Sequence, residues 1–293
     1  MRRDRRLPTR AVLMAVAAAV CLAAPARIHA QGGRGGQPPA PAAPRAAAPI
    51  DLTGYWVSVV TEDWRYRMVT PAKGDFVSVP LNDEGRKVVE TWDPARDEAS
   101  GEACKAYGAA NIMRVPGRVH VTWRDENTLQ IDTDAGTQTR VLHFGNSPPP
   151  GVDAGWQGYS VAQWEMAGAP QRGGGGGGGG GGGVIVPGNA ARGAAAPAGP
   201  GRGGPPQPRG GSLKVVTTRL KPGYLRKNGV PYSENTVVTE YFDRHDEPNG
   251  DQWFTVTTIV EDPKYLQQPF ITSSHFKKER DASKWRPTPC TAR

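Results

Sequence analysis

The sequence predicts a mainly β fold: a single antiparallel β-barrel or barrel-like sandwich of lipocalin-like kind, with one or two short helices. Three observations predict it. Apolar and polar residues alternate with period two in many short runs after Ile50. Several connections between these runs are too short for the crossovers that parallel neighbours need. And so many strands would leave costly open edges unless the sheet closes on itself or packs as a sandwich.

Taken in order, folding is expected to begin at "IDLTGYWVSVV", where Tyr55, Trp56, Val57 and Val59 gather. In "PLNDEGRKVVETWDP" either Asn82 or Asp83 suits an N-cap for a helix over Arg86 to Trp92, which Pro94 stops, while Gly85 weakens the first turn. "DEASGEACKAYG" reads either as a second short helix or as a loop. "RVHVTWRD" places Val119, Val121 and Trp123 on one face and Arg118, His120 and Thr122 on the other. "NTLQIDTD" alternates Leu129 and Ile131 with Gln130 and Asp132, and "GTQTRVLHF" follows the turn at Asp134-Ala135-Gly136, so these three runs form a meander. Beyond them, "GWQGYSVAQWE" and "GSLKVVTTRL" are strand-like, "KPGYLRKNGVPYSEN" is turn-rich, and "TVVTEYFDRH", "DQWFTVTTIVED" and "QPFITSSHFKKE" are strands. Glu261-Asp262-Pro263 suits a turn cap.

Between the two strand-like runs at Gly155 and Gly211 lies a stretch dominated by Gly, Pro and Ala, residues 166–211, whose one apolar cluster is Val184, Ile185 and Val186. Joining its flanks gives strand, tight turn, strand, the signature of a hairpin. The stretch therefore reads as a disordered insertion at a hairpin tip, where insertions are tolerated. Closing so long a loop costs roughly 2–3 kcal/mol, within the stability of an ordinary domain. The expected organisation is a signal peptide over 1–30, a disordered spacer over 31–49, and one β-domain made of 50–165 and 212–293.

The leader has a basic start (Arg2, Arg3, Arg5, Arg6, Arg10), an apolar run from Ala11 to Ala26 that is short for a membrane span, and small residues before Gln31. It points to a periplasmic or secreted protein with no membrane span after cleavage. The formal charge of +8 is divided unevenly: +5 on the leader, +2 on the spacer, +4 on the insertion and −3 on the rest. The excess positive charge that would suggest a nucleic-acid partner thus lies outside the expected β-domain. Cys21 leaves with the leader. Cys104 and Cys290 remain, either as one bridge tying the middle of the chain to its end or as two unpaired thiols, and an oxidising compartment favours the bridge.

The residues Trp156, Gly158, Ser160, Trp164, Glu165, Leu213, Val215 and Thr217, then Ser233-Glu234, Glu240-Tyr241, and Asp262, Pro263, Tyr265, Pro269 and Phe270, follow a pattern. It resembles that of a family of uncharacterised secreted bacterial proteins with a W-x-G-x-S-x-x-x-W-E-G-D-x-L-x-V-x-T stretch and a later T-I-x-D-P-x-x-[FY]-x-x-P-[WF] stretch. Cys104 stands where that family often has C-x-x-G. The chain departs from it by the long insertion and by lacking the Gly-Asp turn. The resemblance supports the fold boundaries and the hairpin and implies no mechanism.

Few chemical constellations stand out. "GYSVA" is no nucleophile elbow. His120, His143, His245 and His275 have no metal-ligand spacing, so no metal is expected. The glycine run lacks the context of a phosphate loop, and no cofactor is implied. Charge on apolar strand faces is the main lead: Glu240 shares parity with Val238 and Phe242, Arg140 with Leu142 and Phe144, and Trp164 with Ser160 and Trp156. If those faces line a barrel, an Arg140–Glu240 pair beside aromatic rings suits a small polar or amphipathic ligand. Such a pair equally suits a purely structural role. Three readings follow: a small-molecule binder, a hydrolase or isomerase using Glu165, Glu234 or Glu240 with His143, or an envelope interaction protein without ligand.

Overall fold

The computed structural model describes residues 41–145, 147–166 and 210–293. The expected leader, most of the spacer and the interior of the Gly-rich stretch lie outside the described residues. Nine strands close a barrel: β1 (Gly54–Val59), β2 (Arg118–Asp125), β3 (Thr128–Thr133), β4 (Gln138–Phe144), β5 (Tyr159–Met166), β6 (Gly211–Thr218), β9 (Val237–Asp246), β10 (Gln252–Glu261) and β11 (Phe270–Lys278). Their order around the ring is β1-β11-β10-β9-β6-β5-β4-β3-β2. Two more, β7 (Gly223–Arg226) and β8 (Val230–Tyr232), form a separate ribbon.

Every neighbouring pair in the barrel is antiparallel except β4 and β5, which run parallel. The exception makes the expected, mostly antiparallel barrel a mixed one and has a topological cause: an odd number of strands cannot alternate direction around a closed ring. A parallel neighbour needs a connection of about a dozen residues or more, and residues 145–158 supply it. β5 and β6, on either side of the Gly-rich stretch, pair in register with Glu165 opposite Ser212 and Met166 opposite Gly211.

Period two places Leu129 and Ile131, Leu142 and Phe144, Leu213 and Val215, and Phe254 and Val256 inside the barrel. Trp56 fills its middle, donating its indole N–H to the Leu52 carbonyl at 2.8 Å, with the Phe254 ring 4.8 Å away edge-on and Phe276 stacked on Phe254 at 4.7 Å. Residues 103–114 add Ala106, Tyr107, Ile112 and Met113 to the same cluster. The barrel interior is thus filled by its own side chains.

Three short helices lie outside the sheet: α1 (Trp64–Arg67), α2 (Asp83–Val89) and α3 (Pro94–Ala99). Asn82 caps α2, its side chain accepting from the Gly85 amide at 2.9 Å. Pro94 does not merely stop α2. It opens α3, where its missing N–H costs nothing, behind the Asp93 cap. The stretch "DEASGEACKAYG" divides into the end of α3 and a 3₁₀ turn, Ala103–Tyr107. α2, β7 and β8 cover a second apolar cluster of Leu81, Val89, Leu225, Val230, Tyr232 and Val260. Gly108 and Gly223 are required there, because a side chain at either would collide with the Tyr232 hydroxyl and with a backbone carbonyl, that of Trp156 or of Lys105.

Cys104 and Cys290 form a disulfide, their Cα atoms 5.1 Å apart. Asp262 accepts from the Ser233 amide at 2.6 Å and hydroxyl at 2.9 Å, from the Thr236 hydroxyl at 3.0 Å and from the Lys264 amide at 2.8 Å. It therefore ties its own turn to the start of β9. Among the described residues no helix is long and apolar enough to cross a membrane.

Candidate functional site

The charged pair expected inside the barrel does form. Arg140 on β4 and Glu240 on β9 are fully buried, and the guanidinium donates to both carboxylate oxygens, at 3.0 and 2.6 Å. Arg140 also reaches the Thr217 hydroxyl at 3.4 Å, which pairs with Ser160 at 2.7 Å. This bidentate geometry pairs both oxygens of Glu240 with Arg140 amid packed aromatic and aliphatic side chains, and leaves Arg140 Nε buried with no acceptor among the described residues. It binds the barrel wall to itself.

The other expected site residues are dispersed. His143 faces outward from β4 and stacks on Tyr159 at 4.6 Å. Burial, then the charge of Arg124, holds its pKa below the usual histidine value. Trp164 packs against Trp123 and Phe144 at one barrel mouth and donates its indole N–H to the Pro44 carbonyl at 2.8 Å. Trp156 lies under the Lys221 ammonium, 4.7 Å from its ring. Glu165 pairs with Lys214 at 3.3 Å, and Glu234 with Lys264 at 3.5 Å, both on the surface. No carboxylate hydrogen-bonds to His143 among the described residues. A different histidine, His275, does meet one: it pairs with Glu62 at 3.3 Å and with the Thr255 hydroxyl at 3.1 Å across neighbouring strands, on the barrel's outer face.

A concentration of unspent hydrogen-bonding groups lies elsewhere. Arg67 ends α1, Arg114 ends the 3₁₀ turn Ile112–Arg114, and Arg226 ends β7. All three are at least nine-tenths buried. With Tyr66, Asn111 and Lys227 they line one small cavity of about 20 Å³. Arg67 donates from Nε to the Arg114 carbonyl at 2.8 Å and from Nη2 to Ser58 Oγ at 3.2 Å. Arg114 donates to Asp63 at 3.0 Å. Arg226 donates to Ser78 Oγ at 3.0 Å and lies 4.1 Å over the Tyr66 ring. After these bonds, Arg67 Nη1, Arg114 Nη1, Arg226 Nε and Arg226 Nη1 remain buried with no acceptor among the described residues.

The electrostatics match. Burial, and then the charge of Arg114, push the pKa values of Arg67 and Arg226 down to about 10. Burial pushes Arg114 down as well, against the pull of Asp63. All three stay protonated at neutral pH. Three crowded cations with unsatisfied N–H groups are costly in a protein interior, and an anion placed among them relieves both the repulsion and the missing hydrogen bonds.

Backbone strain points to the same place. Four described residues other than glycine have positive φ, and two of them hold these arginines: Asp63 at 50° and Ser78 at 67°. Left-handed backbone at such residues costs of order 1 kcal/mol or more each and tends to gather at functional sites. Sequence reasoning missed the cluster because its members come from three separate elements, in "WRYR", "IMR" and "GYLR", and share no spacing.

Comparison of the chain with protein-family models, curated proteins and solved structures finds no match. The described residues hold no group of three side chains suited to a metal ion.

Proposed function

We propose that the protein is an exported, non-catalytic β-barrel domain that binds the anionic end of a small ligand on Arg67, Arg114 and Arg226. One observation carries this reading: three nine-tenths-buried arginines line one cavity, and four of their guanidinium nitrogens have no acceptor among the described residues. Guanidinium forks match carboxylate and phosphate oxygens. The cavity has room for about one water molecule, so it admits an oxygen of an anionic group while the rest of the ligand stays outside. Export is supported by the basic and apolar leader and by the Cys104–Cys290 bridge. The Arg140–Glu240 pair serves as part of the core in this reading.

The test is a titration with inorganic phosphate at constant ionic strength, followed by the melting temperature. Binding at a hundred times Kd adds about 2.7 kcal/mol, which corresponds to roughly 5–10 °C for a domain of this size. The wild type is expected to show a saturable rise that Arg67→Met and Arg226→Met abolish. An equal, non-saturating rise in all three proteins sinks the reading.

A further inference from the structure

We infer that a groove on the outer face of the barrel, between strands β1–β4 and the C-terminal segment, binds a primary alkylammonium group such as the head of a lysine side chain or of a polyamine. The strand register builds its floor. Tyr55 pairs with His120, His120 with Asp132, and Asp132 with Thr139, so these four side chains stand in one row across β1, β2, β3 and β4. The row faces outward, because the adjacent Trp56, Val119, Ile131 and Arg140 are buried inside. Trp285 and Pro287 form a wall beside the row. The segment that carries them is tied down at three points. The Thr137 hydroxyl donates to the Thr288 carbonyl at 2.9 Å, the Thr288 amide donates to the Asp134 carbonyl at 2.9 Å, and Cys290 is bridged to Cys104. Row and wall line a groove of about 280 Å³, which shares no residue with the arginine cavity.

Charge and hydrogen bonding select the occupant. Tyr55 and His120 stack at 4.0 Å, and Trp285 stands steeply tilted to both, at 5.8 and 6.3 Å. All three rings are only half-buried and line the groove. Aromatic faces attract cations. Asp132 is the one carboxylate of the groove, which no lysine or arginine lines. It accepts from the Gln130 amide at 2.7 Å and the Thr139 hydroxyl at 2.6 Å, both neutral donors, and pairs with no cation among the described residues. A carboxylate has about four acceptor sites, so Asp132 keeps room for a charged donor. The cations bordering this region are spent elsewhere, Arg118 and Lys284 on Glu279 and Arg286 on the Ser283 and Trp285 carbonyls. The threonine hydroxyls add acceptors rather than donors, since the Thr139 hydrogen goes to Asp132 and the Thr137 hydrogen to Thr288. An ammonium bearing N–H groups satisfies the carboxylate, the lone pairs and the rings together. An anion is repelled by Asp132, and a neutral alcohol leaves it without a counter-charge.

The experiment is a two-dimensional NMR titration of the full-length protein, as exported, with n-butylammonium chloride at constant ionic strength. The backbone amides of His120, Asp132 and Thr139 are expected to shift saturably. The neutral analogue n-butanol is expected to bind at least tenfold more weakly. Tetramethylammonium, which carries the charge without N–H donors, is expected to bind several-fold more weakly. Asp132→Asn keeps the shape of the side chain and an acceptor for Thr139, and is expected to weaken butylammonium binding by about tenfold. Trp285→Leu leaves Asp132 and its bonds in place and is expected to weaken binding about threefold. The inference is overturned by the absence of a saturable shift, by equal binding of n-butanol or tetramethylammonium, or by unchanged affinity in either variant. Failure of the phosphate titration proposed above leaves this groove untouched, because the two sites have no residue in common.

Discussion

Replacing Glu240 by Gln isolates the electrostatic part of the barrel core. The substitution keeps shape and leaves Arg140 fully buried with its carboxylate partner gone. Two charges about 4 Å apart interact by about 4 kcal/mol at an effective dielectric of 20, and the shorter contacts here, at 2.6 and 3.0 Å, place the pair at or above that level. Removing one member of a buried pair typically costs about 3–5 kcal/mol because the survivor keeps its desolvation penalty. At about 2–4 °C per kcal/mol for a domain of this size, Glu240→Gln lowers the melting temperature by roughly 6–20 °C. The double change Arg140→Met with Glu240→Leu removes both charges into an apolar setting and is expected to recover most of that loss. Urea unfolding of the wild type, Arg140→Met, Glu240→Leu and the double variant completes the cycle. A loss below about 1 kcal/mol for Glu240→Gln, or a double variant no better than the single ones, refutes the assignment of this pair to the folding core.

Removing the disulfide by Cys104→Ala with Cys290→Ala frees a loop closed over a sequence separation of 186. On the loop-closure model this costs about 5 kcal/mol, and calorimetry should register a fall of at least several degrees; no change means that the C-terminal hydrogen bonds already hold the chain end. Asp97→Asn breaks a buried network in which Asp97 accepts from Lys105 at 2.8 Å and from the Tyr224 hydroxyl at 2.7 Å. Burial opposes the charge on Lys105, yet its hydrogen bonds to Asp97 and Glu102 outweigh it and raise its pKa. A destabilisation of about 3 kcal/mol is expected in chemical unfolding, and under 1 kcal/mol contradicts the network. The lowered pKa of His143 means that the unfolded chain binds the proton more readily. Its contribution to stability is present above the ordinary histidine pKa and is lost as pH falls below it; His143→Gln should flatten that part of the stability–pH curve, and an unchanged slope denies the assignment. Replacing residues 167–210 by Asn-Gly joins β5 to β6 through a tight turn, for which loop closure predicts a gain of about 2–3 kcal/mol; loss of cooperative melting contradicts the continuous hairpin.

Much of the barrel was legible because period two is a local signal. Val119 and Val121 on β2, Leu129 and Ile131 on β3, and Leu142 and Phe144 on β4 each face inward as their alternation requires. The same parity put Arg140 and Glu240 inside, although their contact spans 100 residues and depends on ring closure. The Asn82 cap was legible, while the end of α2 was not: Trp92 lies beyond it because Asp93 and Pro94 start a new helix at once. α1 is one turn long and too short to show a helical period. The parallel β4–β5 pair escaped notice because it follows from the strand count rather than from any one segment. The arginine cluster was hidden for a related reason. Arg67, Arg114 and Arg226 sit at the ends of three short elements, and only tertiary packing brings them together.

The most direct test of the anion site is a crystal structure with bromide, located by its anomalous scattering. A bromide is expected within hydrogen-bonding distance of Arg67 Nη1, Arg114 Nη1 and Arg226 Nη1, nitrogens that find no acceptor among the described residues. Bromide confined to surface lysines such as Lys277 and Lys278, with none among the three arginines, contradicts it.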